Sequence, residues 1–129
     1  MNGDYLIDTN IVIGLFKNDE SVVSNIQTAT QIYIPSVVIG ELFYGAFNSN
    51  NKQENIEKVN QFSQDVNVLN CNSTTGLFYG LIKKELKDKA NPIPENDIWI
   101  AALAQQHNMP LVGRDKHFII IKNIDVLRW

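Results

Sequence analysis

The sequence predicts an α/β domain, a parallel sheet with helices packed on both faces. Apolar runs of strand length, such as Tyr5–Ile7 and Pro110–Val112, alternate with stretches whose apolar residues recur at helical spacing. Strands alternating with helices build βαβ units, whose crossover helices cover the sheet. The chain has 129 residues and is 44% apolar, which suits one ordered domain, residues 1–129, with a core of its own.

Each element follows in order. Tyr5–Ile7 is the first strand. Ile11, Val12 and Leu15 then sit at helical steps behind Thr9 and Asn10, either of which can cap a helix start. A second helix spans about Ser21–Thr28. Gln31–Ile34 is the second strand, broken by Pro35. Ser36 caps a helix carrying Val37, Val38, Glu41, Leu42 and Phe47. The asparagine-rich stretch Asn48–Lys58 reads as a loop entering a helix that ends near Phe62. Val66–Leu69 is the third strand, and Ser73 caps a long helix to about Lys89. Asn91-Pro-Ile-Pro94 forces a loop, and a helix runs from Glu95 to His107 with Ile98, Ala101, Ala102 and Gln105 at helical steps. Pro110–Val112 and Ile124–Leu127 are the fourth and fifth strands.

Several function classes recede. A single cysteine, Cys71, forms no internal disulfide, so nothing points to secretion. No apolar run approaches the ~18 residues of a membrane helix. Met1-Asn2-Gly3-Asp4 lacks the basic stretch of a signal peptide. A cytoplasmic protein is the expectation. The net charge of −3 does not advertise nucleic-acid binding, so any RNA contact needs a local basic patch or metal ions.

Ligands of open α/β sheets bind outside the carboxyl ends of the strands. Asp8 lies just past the end of the first strand, and Asp115 follows the fourth. Glu41 and Asp97 belong to early turns of helices that begin at the same end. Four acids distant in sequence therefore meet at one rim. Clustered carboxylates repel and raise one another's pKa, and a hard divalent cation removes the conflict. Oxygen ligands suit Mg²⁺ or Mn²⁺, and no His or Cys cluster has zinc spacing. Such a site suits phosphate-ester hydrolysis.

Three segments carry a resemblance: "LIDTNIVI", "PSVVIGELFYGA" and "PENDIWIAALAQQHNMPLVGRDKHF". In that order they resemble the signature segments of PIN-domain ribonucleases, most of all the VapC-type toxins of type II toxin–antitoxin pairs. The resemblance covers nearly the whole chain. It implies a five-stranded parallel sheet of order 3-2-1-4-5, and metal-binding, catalytic acids at Asp8, Glu41, Asp97 and Asp115. It also implies Mg²⁺-dependent (or Mn²⁺-dependent) cleavage of structured RNA, often tRNA, and a small antitoxin that blocks the site. A homodimer is expected. One position departs: the family pattern has Thr or Ser where this chain has Gly113. That leaves support of the cluster to water or Thr9, or lowers activity, and the glycine frees the backbone of the loop.

Plainer readings stand beside these. Asp8 caps a helix, Glu41 is a solvated helix residue, Asp97 favours the positive end of its helix, and Asp115 is a turn residue. Arg114 and Lys116, flanking Asp115, are candidates for RNA phosphate contact. Lys83, Lys84, Lys87 and Lys89 read as a solvated helix face. His117 reads as a loop residue packed beside Phe118 rather than a base. Tyr44, Phe47 and Trp99 read as core or dimer interface. Two other functions compete. One is phosphatase chemistry through a phosphorylated Asp8, weakened because the second acid of a D-x-D motif is here Asn10. The other is a degenerate domain that binds RNA or protein without cleaving, for which Gly113 is the sole support.

Overall fold

The structure, a computed structural model, describes residues 3–129. Met1 and Asn2, which belong to the stretch considered above as a leader, lie outside the described residues. In chain order the elements are β1 (Asp4–Ile7), α1 (Thr9–Phe16), α2 (Glu20–Thr28), β2 (Gln31–Pro35), α3 (Ser36–Phe47), α4 (Lys52–Asp65) and β3 (Asn67–Leu69). There follow α5 (Ser73–Asp88), α6 (Glu95–His107), β4 (Leu111–Val112), a 3-10 turn (Lys116–Ile120) and β5 (Val126–Leu127).

The five strands form one parallel sheet in the order β3-β2-β1-β4-β5, the order the resemblance implies. The chain builds outward from β1 to β2 and β3, then returns to lay β4 on the other side of β1. The register sets Leu6 against Leu111 and Ile7 against Val112. The order of strands reverses between β1 and β4, and this is where a sheet of this kind opens a crevice for ligands.

The core is aliphatic. Leu6, Ile7, Ile34, Leu111 and Val112 are buried on the sheet, and α6 buries Ile98 and the run Ile100–Ala104 nearly all round. Small alanines let this helix lie close against its neighbours. Among the described residues, no helix is long and apolar enough to cross a membrane.

Several boundaries depart from expectation. The predicted loop at Asn48–Lys58 is mostly helix: α4 begins at Lys52 and runs to Asp65. Its surface is polar, with Gln53 bonded to Glu57 and Gln61 to Asp65 one turn apart. Its buried contact is Val59, with Ile56 and Phe62 half-buried at steps of three. The cap of α1 is neither Thr9 nor Asn10, for the helix already includes both and Asp8 holds the cap position. Pro35, not Ser36, precedes α3. At α5 the cap is Asn72 rather than Ser73. Asn72 Oδ1 accepts from Thr75 N at 3.1 Å while Thr75 Oγ1 accepts from Asn72 N at 3.0 Å. This reciprocal box satisfies two backbone donors that a helix start leaves orphaned.

Asn72 also accepts from the Gln106 side chain of α6, so the box ties two helices together. Asn72→Ala is expected to lower stability by about 1–2 kcal/mol, the upper range for loss of a cap. Urea unfolding should show a lower midpoint at unchanged slope. An unchanged midpoint would mean that the start of α5 is held by packing alone.

Candidate metal centre

The acids arrive at the rim by separate routes. Asp8 is placed by β1, whose ladder to β4 continues one residue beyond the strand: the Asp8 N–H donates to the Val112 carbonyl at 3.0 Å. Its carbonyl accepts from Ile11 and Val12, so the chain turns at once into α1. The Asp8 side chain is only 5% exposed and makes no capping hydrogen bond within the described residues. Asp8 thus stands where a cap stands without acting as one.

Glu41 projects from the second turn of α3 and is fixed by Thr9, whose hydroxyl donates to Glu41 Oε1 at 2.8 Å. Asp97 lies in the first turn of α6, where the unpaired N–H groups favour a negative charge. Asp115 follows β4 and caps the 3-10 turn, accepting from the His117 N–H at 2.9 Å. Glu41, Asp97 and Asp115 line one cleft of about 390 Å³ together with Pro94, Glu95 and Asn96. A second cleft of about 550 Å³ adjoins Glu41 and Thr9, walled by Ile13, Phe16, Leu42 and Val59, with Lys17 and Lys58 beside it.

The electrostatics show what the gathering costs. Burial pushes the Asp8 carboxyl up to about 7, and the charges of Asp97, Glu41 and Asp115 add to the rise, against the lowering effect of the Thr9 backbone N–H. Asp97 is raised in the same way, first by burial and then by Asp115 and Glu41, while its hydrogen bond to His117 opposes the rise.

His117 is where reasoning from the sequence fell short. Its Nδ1 stands 3.0 Å from Asp97 Oδ2 and 2.9 Å from Asp115 Oδ1. The donor atoms of Asp97, Asp115 and His117 all lie within 4.8 Å of one another. The signal was local: an aspartate capping a turn two residues before a histidine, followed by Phe118, whose burial anchors that turn. Carboxylate oxygens with one imidazole and no thiolate suit a hard or borderline divalent cation. The residues present therefore fit such an ion.

The flanking cations divide. Lys116 is exposed. Arg114 is engaged: its guanidinium pairs with Asp19 at 3.1 Å, and its Nε donates to the Trp129 carbonyl at 2.7 Å. On α5, Lys83 pairs with Glu95 and Lys84 with Asp88. Tyr44 and Phe47 are exposed rather than core, and Trp99 stacks on Tyr79 at 4.2 Å. Gly113 does not use the left-handed backbone region, so the freedom expected of it is not what the loop exploits. A Cβ there would stand 3.4 Å from Asp8 Cβ and from the Phe118 ring.

Comparison with known proteins places the chain in a family. The family model for the PIN domain matches residues 5–124. Ribonuclease VapC1 of Haemophilus influenzae (strain R2866) is 33% identical over 97% of this chain and 97% of its own. The chain belongs to the PIN-domain family, among the VapC ribonucleases. Another VapC, the tRNA(fMet)-specific endonuclease of Shigella flexneri, is 29% identical over 84% of this chain and 83% of its own. Among solved structures, VapBC2 from Rickettsia felis bound to a DNA fragment from its promoter superposes with a TM-score of 0.90. It is 30% identical and covers 98% of both chains.

Two outcomes follow for this PIN domain. In metal-free protein, Asp8 has a folded pKa of about 7 against an ordinary 3.8, so the folded state holds a proton that the unfolded chain releases. Stability then falls as pH rises from about 4 to 7, at up to ~1.4 kcal/mol per pH unit. Asp8→Asn, which keeps the shape without the charge, should melt above the parent in EDTA at pH 8, with the gap narrowing as pH falls and closing near pH 4. A gap that does not depend on pH would refute the assignment. Gly113→Ala should fold with a stability change within about 1 kcal/mol, since the new contacts are ordinary and the backbone is unstrained. A much larger loss in thermal unfolding would show that the loop needs glycine itself.

Proposed function

We propose that this chain is a metal-dependent endoribonuclease that hydrolyses phosphodiester bonds in structured RNA and acts as the toxin of a toxin–antitoxin pair. The observation that carries the reading is that Glu41, Asp97 and Asp115 line one cleft, with the buried Asp8 close enough for their charges to raise it. The similarity to VapC ribonucleases supports the same reading. In this reading the four acids hold Mg²⁺ or Mn²⁺. Such an ion, when bound, polarises a phosphoryl oxygen and supplies hydroxide near neutral pH.

The chain's own residues do the rest. The buried Asp8 anchors the site at the end of β1. Thr9 holds Glu41 in one rotamer by its hydrogen bond. The first turn of α6 orients Asp97, and the 3-10 turn orients Asp115. No side chain is needed as a nucleophile, because water attacks. Lys116, beside Asp115, is free to meet an RNA phosphate. Arg114 presents its charge from a fixed position set by Asp19 and the Trp129 carbonyl. The substrate class proposed is tRNA, supported by the tRNA-specific relative from Shigella flexneri. The partner proposed is a small antitoxin, supported by the VapBC complex of Rickettsia felis. A homodimer is proposed as well, and the exposed apolar pair Leu77 and Leu81, one turn apart on α5, supports it.

The test is cleavage of total tRNA by purified protein with Mg²⁺ or Mn²⁺. Products should carry 5′-phosphate and 3′-hydroxyl ends, and EDTA should abolish the reaction. Asp8→Asn and Asp97→Asn should fold yet lose about a hundredfold or more in rate, because several kcal/mol of charge stabilisation depends on the ion they hold. If Asp8 were only a cap, Asn would serve as well and activity would be normal. Cleavage at the parent rate in EDTA would overturn the proposal.

A further inference from the structure

The position of His117 is built rather than incidental. Phe118 is fully buried and fastens the 3-10 turn beneath Gly113. Asp115 caps that turn by accepting from the His117 backbone N–H. With both ends fixed, the His117 ring faces inward, and one nitrogen reaches two carboxylates that come from different elements. An Nδ1–H can aim at only one acceptor at a time, yet Nδ1 lies 3.0 Å from Asp97 Oδ2 and 2.9 Å from Asp115 Oδ1. Two ligands at about 2.1 Å from one octahedral ion, at right angles, stand about 3.0 Å apart. Both spacings therefore match neighbouring vertices of a single coordination sphere.

Resting on the metal-dependent reading above, we propose that His117 Nδ1 is a nitrogen ligand of the same ion that Asp97 and Asp115 hold, so that the site prefers Mn²⁺ or another transition metal to Mg²⁺. Mg²⁺ favours oxygen ligands and keeps its waters, whereas imidazole favours later divalent ions along the first transition series. A site of carboxylates alone discriminates little between Mg²⁺ and Mn²⁺. Placing one imidazole between two of them tilts that balance. The lysine and arginine that flank Asp115 leave the donor set unchanged, since neither coordinates a cation at neutral pH. Metal choice is thus written into His117, beside the four acids that the family pattern supplies.

The experiment uses the full chain, stripped of metal by chelation and titrated with Mn²⁺ or Mg²⁺. Calorimetry gives the two affinities, and pulsed electron paramagnetic resonance of bound Mn²⁺ detects directly coordinated nitrogen. The parent protein should show imidazole nitrogen on Mn²⁺, and the signal should change on labelling histidine with ¹⁵N. His117→Asn and His117→Asp should lose it. Their Mn²⁺ affinity should drop about tenfold or more, with a smaller change for Mg²⁺, so that the preference narrows. Because the spectrum of the unmutated protein is itself decisive, a variant that fails to fold leaves the test intact. Mn²⁺ bound without nitrogen coupling would overturn the role of His117 while leaving the metal site standing. Absence of any Mn²⁺ or Mg²⁺ binding would overturn both.

Discussion

Pairing of β1 with β4 decides where the acids go. Leu6 donates to Pro110 and Asp8 to Val112, so the two strands end in step and their following residues emerge side by side. Asp8 and the loop Gly113–Asp115 are neighbours for that reason alone, although they lie near opposite ends of the chain. The helices that carry Glu41 and Asp97 start from the same edge of the sheet. A slip of one residue between β1 and β4 would turn Leu6 and Ile7 to opposite faces and remove Asp8 from the rim. The hydrophobic pattern that builds the core is therefore also what aligns the charges.

Those charges oppose the fold that gathers them. Asp8 is buried deeply enough to titrate near neutrality, and Asp97 is raised for the same reasons. Thr9 and His117 moderate the conflict, one by donating to Glu41, the other by lying between Asp97 and Asp115. Neither removes it, for the acids remain an excess of negative charge gathered at one rim. A core of this size tolerates the strain because Leu6, Ile7, Leu111 and Val112 directly behind the rim are buried to the last few per cent. Local stability is thus lowered where the acids gather, as is common at functional sites.

What could be read in the sequence depended on whether the signal was local. Strand runs such as Tyr5–Ile7 are short, apolar and bounded by polar residues, and they fell within a residue or so of the observed strands. The acids Asp8 and Asp115 were legible because position after a strand implies the rim. Helix α4 was misjudged over its first turns because Asn, Gln and Lys there resemble loop composition, while Ile56, Val59 and Phe62 bury a narrow stripe. The cap of α5 was misplaced by one residue because Asn72 and Ser73 are both good caps, and only the partner hydroxyl of Thr75 decides between them. His117 was missed for a different reason. Its side chain meets Asp97, twenty residues earlier, in a contact that no local pattern reports.

The loop that bears Asp115 shows how such a contact is kept in place. Arg114 joins three parts of the chain: its guanidinium pairs with Asp19 ahead of α2, its Nε donates to Trp129, and its carbonyl accepts from Arg128. Trp129 in turn packs edge-on against Tyr5 of β1, 5.3 Å between ring centres. A partly exposed ion pair of this kind contributes little to global stability, about 0–1 kcal/mol. Its effect is positional. With Arg114 held from three directions and Phe118 buried below, the residues between them have few conformations left, and Asp115 and His117 are two of those residues. Preorganisation of this sort holds side chains in place through loop contacts, which a small fold with short strands can do without enlarging its core.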